Sequence, residues 1–216
     1  MANQPNLRRL GCALLATAAC GSSSGPSPSA PADASTAPAA IRTFVGDVTG
    51  TDARVAVLAT ATHARIYFCG GDASFAIRTH WIPSAAVAGT QLAPPSPDGT
   101  GWSVEGQVDD AGASGSVVMG DAGTFAFHAN PLAAGTIAGL YEAKGPCGHV
   151  GVIVSQASSA DSPAAQGACL PAVGSGTASV EQVNPIQPLS RASDGSIAVL
   201  VNGAQVSVRA AAPPAD

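Results

Sequence analysis

Four histidines, three glutamates and five cysteines are the side chains on which chemistry could rest in this 216-residue chain. His63, His80, His128 and His149 have none of the His-x-His, His-x-x-x-His or Cys-x-x-Cys spacings that bring ligands to one metal ion. The nearest approach is Cys147-Gly148-His149, two neighbouring strand positions that could hold a soft metal. The competing reading is a disulfide cysteine followed by a surface histidine. Between residues 41 and 210 there is neither a Gly-x-Ser-x-Gly nucleophile elbow nor a Ser-x-x-Lys pair, and Gly112-Ala113-Ser114-Gly115 falls in a turn signal. Three glutamates leave little for paired-carboxylate hydrolysis. No glycine-rich loop follows a strand and opens a helix, as a phosphate cradle requires. The expectation is therefore no catalytic residues, no cofactor and no metal. The rival is an unrecognised hydrolase, in which two of the histidines, or a histidine and Glu105, converge on one substrate atom.

The elements that must position these groups are strands. Apolar residues recur with period 2: Phe75, Ile77, Thr79 and Trp81 alternate with Ala76, Arg78 and His80. Trp102, Val104 and Val108 alternate with Ser103, Glu105 and Gln107, while Phe125 and Phe127 alternate with Thr124, Ala126 and His128. Val150, Val152 and Val154 repeat the pattern against His149, Gly151 and Ser155. Turn signals lie between them at Gly50-Thr51-Asp52, Gly70-Gly71-Asp72, Asp109 to Gly112 and Gly120 to Gly123. Short strands joined by short turns pair antiparallel. The clearest hairpin joins Ile197–Val201 to Gln205–Val208 through Asn202-Gly203, a pair that tolerates the positive φ of a type I′ turn. Helix is confined to a turn or two in Ser84–Gly89 and Pro131–Gly139, and Thr177–Ser193, with Asn184-Pro185 and Gln187-Pro188, reads as an irregular crossover. Roughly ten strands exceed a comfortable flat sheet, so an all-β meander closing into a barrel or a two-layer sandwich is expected. Arg78, His80, Glu105, Gln107 and His128 all fall on polar strand faces. They form either the lining of a polar lumen that binds a small ligand or a solvated outer face.

The N-terminus is an address. Residues 1–19 carry Arg8-Arg9 and then an apolar run from Leu10 to Ala19, too short to span a bilayer and typical of a secretory signal peptide. The run ends in Thr17-Ala18-Ala19-Cys20, which resembles the lipobox of bacterial lipoproteins. That resemblance implies a diacylglyceryl lipid on Cys20 and an anchor in the membrane. Thr17 departs from the usual Leu or Val, and an overlapping site at Ala16-Thr17-Ala18 would instead release a soluble protein. Gly21-Ser22 after the cysteine lacks the inner-membrane retention aspartate, so the resemblance implies the outer membrane where the cell has one. Residues 20–40 are the lipidated cysteine and a Ser/Pro/Ala-rich linker, expected to be a disordered tether; 41–210 form the all-β domain and 211–216 a disordered tail. Once Cys12 leaves with the signal and Cys20 carries lipid, Cys69, Cys147 and Cys169 remain in an oxidising compartment. Pairing Cys147 with Cys169 would pin the polar loop Gln156–Gly167 and contribute about 3 kcal/mol, leaving Cys69 a buried thiol. A bridge between Cys69 and Cys147 is the alternative.

Phe44-Val45-Gly46, Val55-Ala56-Val57, Tyr67-Phe68-Cys69-Gly70-Gly71 and Ala138-Gly139-Leu140-Tyr141-Glu142-Ala143 resemble an uncharacterised all-β domain of secreted and lipid-anchored bacterial proteins. The resemblance spans Ile41 to Val154 and implies a fold and no activity.

Composition narrows the function. One lysine and eight arginines face 14 acidic residues with no basic run, which excludes nucleic-acid binding. The expectation is an extracytoplasmic, lipid-anchored envelope protein, non-catalytic, acting as a binding or interaction module for an envelope protein or small ligand. The alternative is a small-ligand carrier using Arg78, His80, Glu105 and His128 in a polar barrel lumen.

Overall fold

The computed structural model describes residues 40–93, 99–172 and 179–214. The expected signal peptide 1–19, the expected lipid site Cys20 and the expected linker up to residue 39 lie outside the described residues. The expected all-β class holds, and the meander resolves into fourteen described strands rather than ten, forming two closed antiparallel barrels. The first contains β1 (Arg42–Val48), β2 (Arg54–Ala59), β3 (His63–Cys69), β4 (His80–Ala88), β5 (Gln91–Leu92), β6 (Trp102–Val108), β7 (Ala113–Met119) and β8 (Thr124–Pro131). It closes where β1 pairs with β8, Phe44 opposite Pro131 through Val48 opposite Phe127. The second contains β9 (Gly139–Gly145), β10 (Gly148–Ser155), β11 (Ala164–Pro171), β12 (Glu181–Pro185), β13 (Ile197–Val201) and β14 (Ala204–Ala210). It closes through Arg209–Glu142 and Ala210–Tyr141. Closure removes the free edges that an open sheet of this length would expose.

Each barrel is filled by its own apolar side chains. Phe44, Val57, Ile66, Phe68, Val104 and Phe127 are among those packed in the first, and Tyr141, Val152, Val154, Val183, Val199 and Val208 in the second. A third cluster explains the segments that are apolar on both faces. Ala56, Leu58, Tyr67 and Cys69 point out of the first barrel and pack against Leu140, Ile153 and Ala168 of the second. Nearly all of Arg54–Ala59 and Val150–Val154 is therefore buried, because one face fills a barrel and the other fills the seam between barrels.

The Asn202-Gly203 hairpin forms as expected, with φ of 51° and 76° at the two turn residues. Several local expectations are corrected. The alternation from Phe75 to Thr79 is not strand: residues 72–77 form turns, and the strand starts at His80. Ser74 accepts backbone N–H bonds from Ile77 and Arg78, and its hydroxyl donates to the Asp52 carboxylate, so local hydrogen bonding wins over the apolar period. Ser84–Gly89 is strand rather than helix through Ala88, and Pro131–Gly139 has no helix; only one 3₁₀ turn, Gly120–Ala122, is found among the described residues. The crossover in Thr177–Ser193 contains β12, which bridges β11 and β13. Pro83 sits in β4 at a register shift opposite Ala64–Ile66, an interruption of the regular ladder where proline is tolerated. At the C-terminus, residues 211–214 do not trail off. Ala211 donates to the Leu140 carbonyl, and Pro214 is buried.

Candidate functional site

The side chains expected to share a polar lumen are parted by the barrel wall. Glu105, Gln107 and His128 stand on the exposed outer face, where Glu105 accepts from Ser116 and His128 meets Asn130 at 3.0 Å. Arg78 and His80 lie at the end of the first barrel where β3 finishes and β4, β6 and β8 begin. His80 stacks on Trp102 with ring centroids 4.9 Å apart, and Arg78 lies 5.3 Å over the Phe125 ring and 3.5 Å from Asp52. Both aromatics pack on the barrel core. The interior beneath them is filled by apolar side chains, which corrects the polar-lumen arrangement: period-2 alternation fixes two faces, and burial of the apolar one turned the polar one outward.

Cys147 and Cys169 are joined as a disulfide, their Cα atoms 6.1 Å apart, tying the β9–β10 turn to β11. Cys69 is a buried free thiol, and burial pushes it up to about 11 against hydrogen bonds from Tyr67 and Thr79. A thiolate is thereby disfavoured, and no metal pair forms with His149, because Cys147 is already bonded.

The seam holds a constellation that the linear reading missed. Glu142 on β9 accepts from both terminal guanidinium nitrogens of Arg65 on β3, Nη1 at 2.8 Å and Nη2 at 2.5 Å, and meets His149 Nε2 at 2.8 Å and the Ala212 N–H at 3.0 Å. Burial alone would push its pKa up, yet the bonds from His149, Arg65 and Ala212 hold the carboxyl at about 2. Trp81 completes the cluster, with Tyr67 stacked at 4.3 Å, His149 at 4.7 Å and the Arg65 guanidinium 4.3 Å from its ring. Polar residues at 142 and 144, alternating with Tyr141 and Ala143 that pack on the second core, mark the outer face of β9. Nothing in the sequence indicates that this face meets β3.

On another side of the seam, β1, β2, the β8–β9 connection and the loop after β10 enclose a cleft of about 530 Å³. Asp47, Arg54, Asn130, Ser155, Gln156 and Asp161 bring polar atoms to it from both barrels, beside Val45, Pro131 and Leu132. Its size lies within the roughly 300–1,000 Å³ of small-ligand sites, and a boundary between barrels is a common place for one.

No family model, curated protein or solved structure matches this chain. Function is therefore argued from the geometry. Its polar groups are fixed before any ligand arrives: Arg54 donates to Ser155 Oγ at 2.6 Å, Gln156 donates to the Asp161 carbonyl and accepts from the Ile137 N–H, and Ser158 donates to Asp161 Oδ2. Groups held in this way lose little freedom on binding.

Proposed function

We propose that the protein is an extracytoplasmic lipoprotein, anchored through a lipid on Cys20, whose two-barrel body is a non-catalytic binding module of the cell envelope. The observation that carries the binding reading is the convergence of fixed polar groups from both barrels on the inter-barrel cleft, while both barrel interiors are filled. The anchor rests on Arg8-Arg9, the short apolar run and Thr17-Ala18-Ala19-Cys20. A carrier acting through a barrel lumen is less favoured, because apolar side chains among the described residues fill both barrels. A hydrolase would draw on the carboxylate–imidazole contact of Glu142 and His149, but that carboxylate is already engaged by Arg65, His149 and Ala212. This favours a structural role for the pair.

Intact mass of the protein extracted from its own membrane tests the anchor. Loss of Met1–Ala19 together with a lipid on Cys20 supports it, and an unlipidated chain overturns it. Co-sedimentation of the Cys20→Ser chain with isolated envelope fractions tests the module. Retention that is lost when Ala157→Trp fills the cleft supports binding there. Retention that is absent, or indifferent to Ala157→Trp, overturns it.

A further inference from the structure

The chemistry of the cleft narrows the ligand, an inference that rests on the cleft being a binding site. Two carboxylates, Asp47 and Asp161, face one guanidinium, Arg54, so the field in the cleft opposes anions such as phosphates. Arg54 in turn lies 3.9 Å from Asp47 Oδ1, which offsets one carboxylate and leaves no paired acidic cage for a cation. The remaining hydrogen-bonding capacity is mixed in kind. Asn130 uses its oxygen toward His128 and keeps an amide nitrogen without a partner among the described residues. Asp161 uses Oδ2 toward Ser158 and keeps Oδ1, and the Ser162 hydroxyl adds a group that both donates and accepts. Open donors and acceptors in one cleft, with Val45, Pro131 and Leu132 as apolar surface, suit a ligand whose every polar group both donates and accepts. Hydroxyl groups do this, whereas an amine only donates and a carboxylate only accepts. The volume of about 530 Å³ admits more than one sugar ring.

We propose that the inter-barrel cleft binds a short neutral oligosaccharide, with Asn130 and Asp161 as hydrogen-bonding partners of its hydroxyls and Arg54 as the fixed floor. None of the cleft residues named here is aromatic, so no stacking platform adds to the affinity and binding is weak.

The test is isothermal titration of the full chain with maltotetraose, cellotetraose and tetra-N-acetylchitotetraose, and separately with spermidine. At least one tetrasaccharide is expected to bind saturably. Asn130→Ala and Asp161→Ala are expected each to weaken that binding by about tenfold, the loss of one or two hydrogen bonds to hydroxyls. Both positions are exposed, and an unchanged melting temperature shows that the variants fold. Absence of binding by all three sugars overturns the proposal, as does sugar binding indifferent to both substitutions. Spermidine binding without sugar binding also overturns the ligand class, but it leaves the binding module in place. The co-sedimentation result with Ala157→Trp reports on the module independently.

Discussion

The Tyr67 ring occupies the space in which a side chain at Gly151 would begin: a Cβ there would lie 2.6 Å from Tyr67 Cζ and 3.0 Å from Trp81 Cζ2. Tyr67 is fully buried, and its hydroxyl donates to the Gly151 carbonyl at 3.2 Å while the Ala168 N–H approaches it at 3.3 Å. One aromatic side chain of the first barrel thus docks on a gap in the wall of the second. Tight packing of the two barrels depends on that gap.

Gly151→Ala is accordingly expected to destabilise the fold by about 1–3 kcal/mol through overpacking, and Tyr67→Phe by about 1–2 kcal/mol through the lost hydrogen bonds. The double variant Gly151→Ala/Tyr67→Ala removes the clash, so urea melts should show its cost to be less than the sum of the Gly151→Ala and Tyr67→Ala costs. Additive losses would contradict the docking geometry.

Glu142 makes stability depend on pH in a defined direction. Its carboxyl sits at about 2 in the fold against an ordinary 4.5, so the unfolded chain binds the proton first. The contribution is fully present above about pH 4.5 and is lost as pH falls toward 2. It amounts to about 1–3 kcal/mol, allowing for partial solvent screening. Melting temperatures followed between pH 5 and 2 should fall more steeply in the native chain than in Glu142→Gln, which also starts less stable because Arg65 loses its carboxylate partner.

Reduction acts on one corner of the second barrel. The Cys147–Cys169 bridge closes a 22-residue separation, and Cys147→Ser/Cys169→Ser is expected to cost about 2–4 kcal/mol. Unfolding without reductant should be shifted by that amount, and the first barrel's aromatic signals should persist in the reduced protein under native conditions.

Cys69 should resist alkylation. It is buried, and its thiol is held at about 11. With Cys20→Ser in place, mass spectrometry after iodoacetamide treatment should find no adduct on Cys69 in the native state and one after denaturation without reductant. A native adduct would mean that the seam opens on the labelling timescale.

How much of this was written in the chain follows from the range of each interaction. Strand class, the Asn202-Gly203 turn and the inner faces of β6, β8 and β10 were legible, because alternation and turn stereochemistry act over two to four residues. The Cys147–Cys169 pairing was legible because few partners remained. Phe75–Thr79 misled because its apolar alternation was overruled by local bonds to the Gly71 and Ser74 carbonyls, held in place by Asp52 from the β1–β2 turn. The division of 41–210 into two barrels was visible only as runs apolar on both faces, such as Val55–Leu58, which cannot by themselves say what covers the second face.

The candidate site was less legible still. Alternation placed Arg78, His80, Glu105 and His128 on polar faces, but which face closes inward depends on the packing of the whole barrel. Arg65 meets Glu142 across 77 positions, and Arg54 meets Ser155 across 101, pairs that exist only because two independently closed barrels pack wall against wall. Local stereochemistry therefore determined the strands and the turns, and the proposed address rests on the pattern of residues 1–20 alone. The seam, the cleft and the chemistry they hold were decided by tertiary packing, in which distant faces come together to bury apolar surface from water.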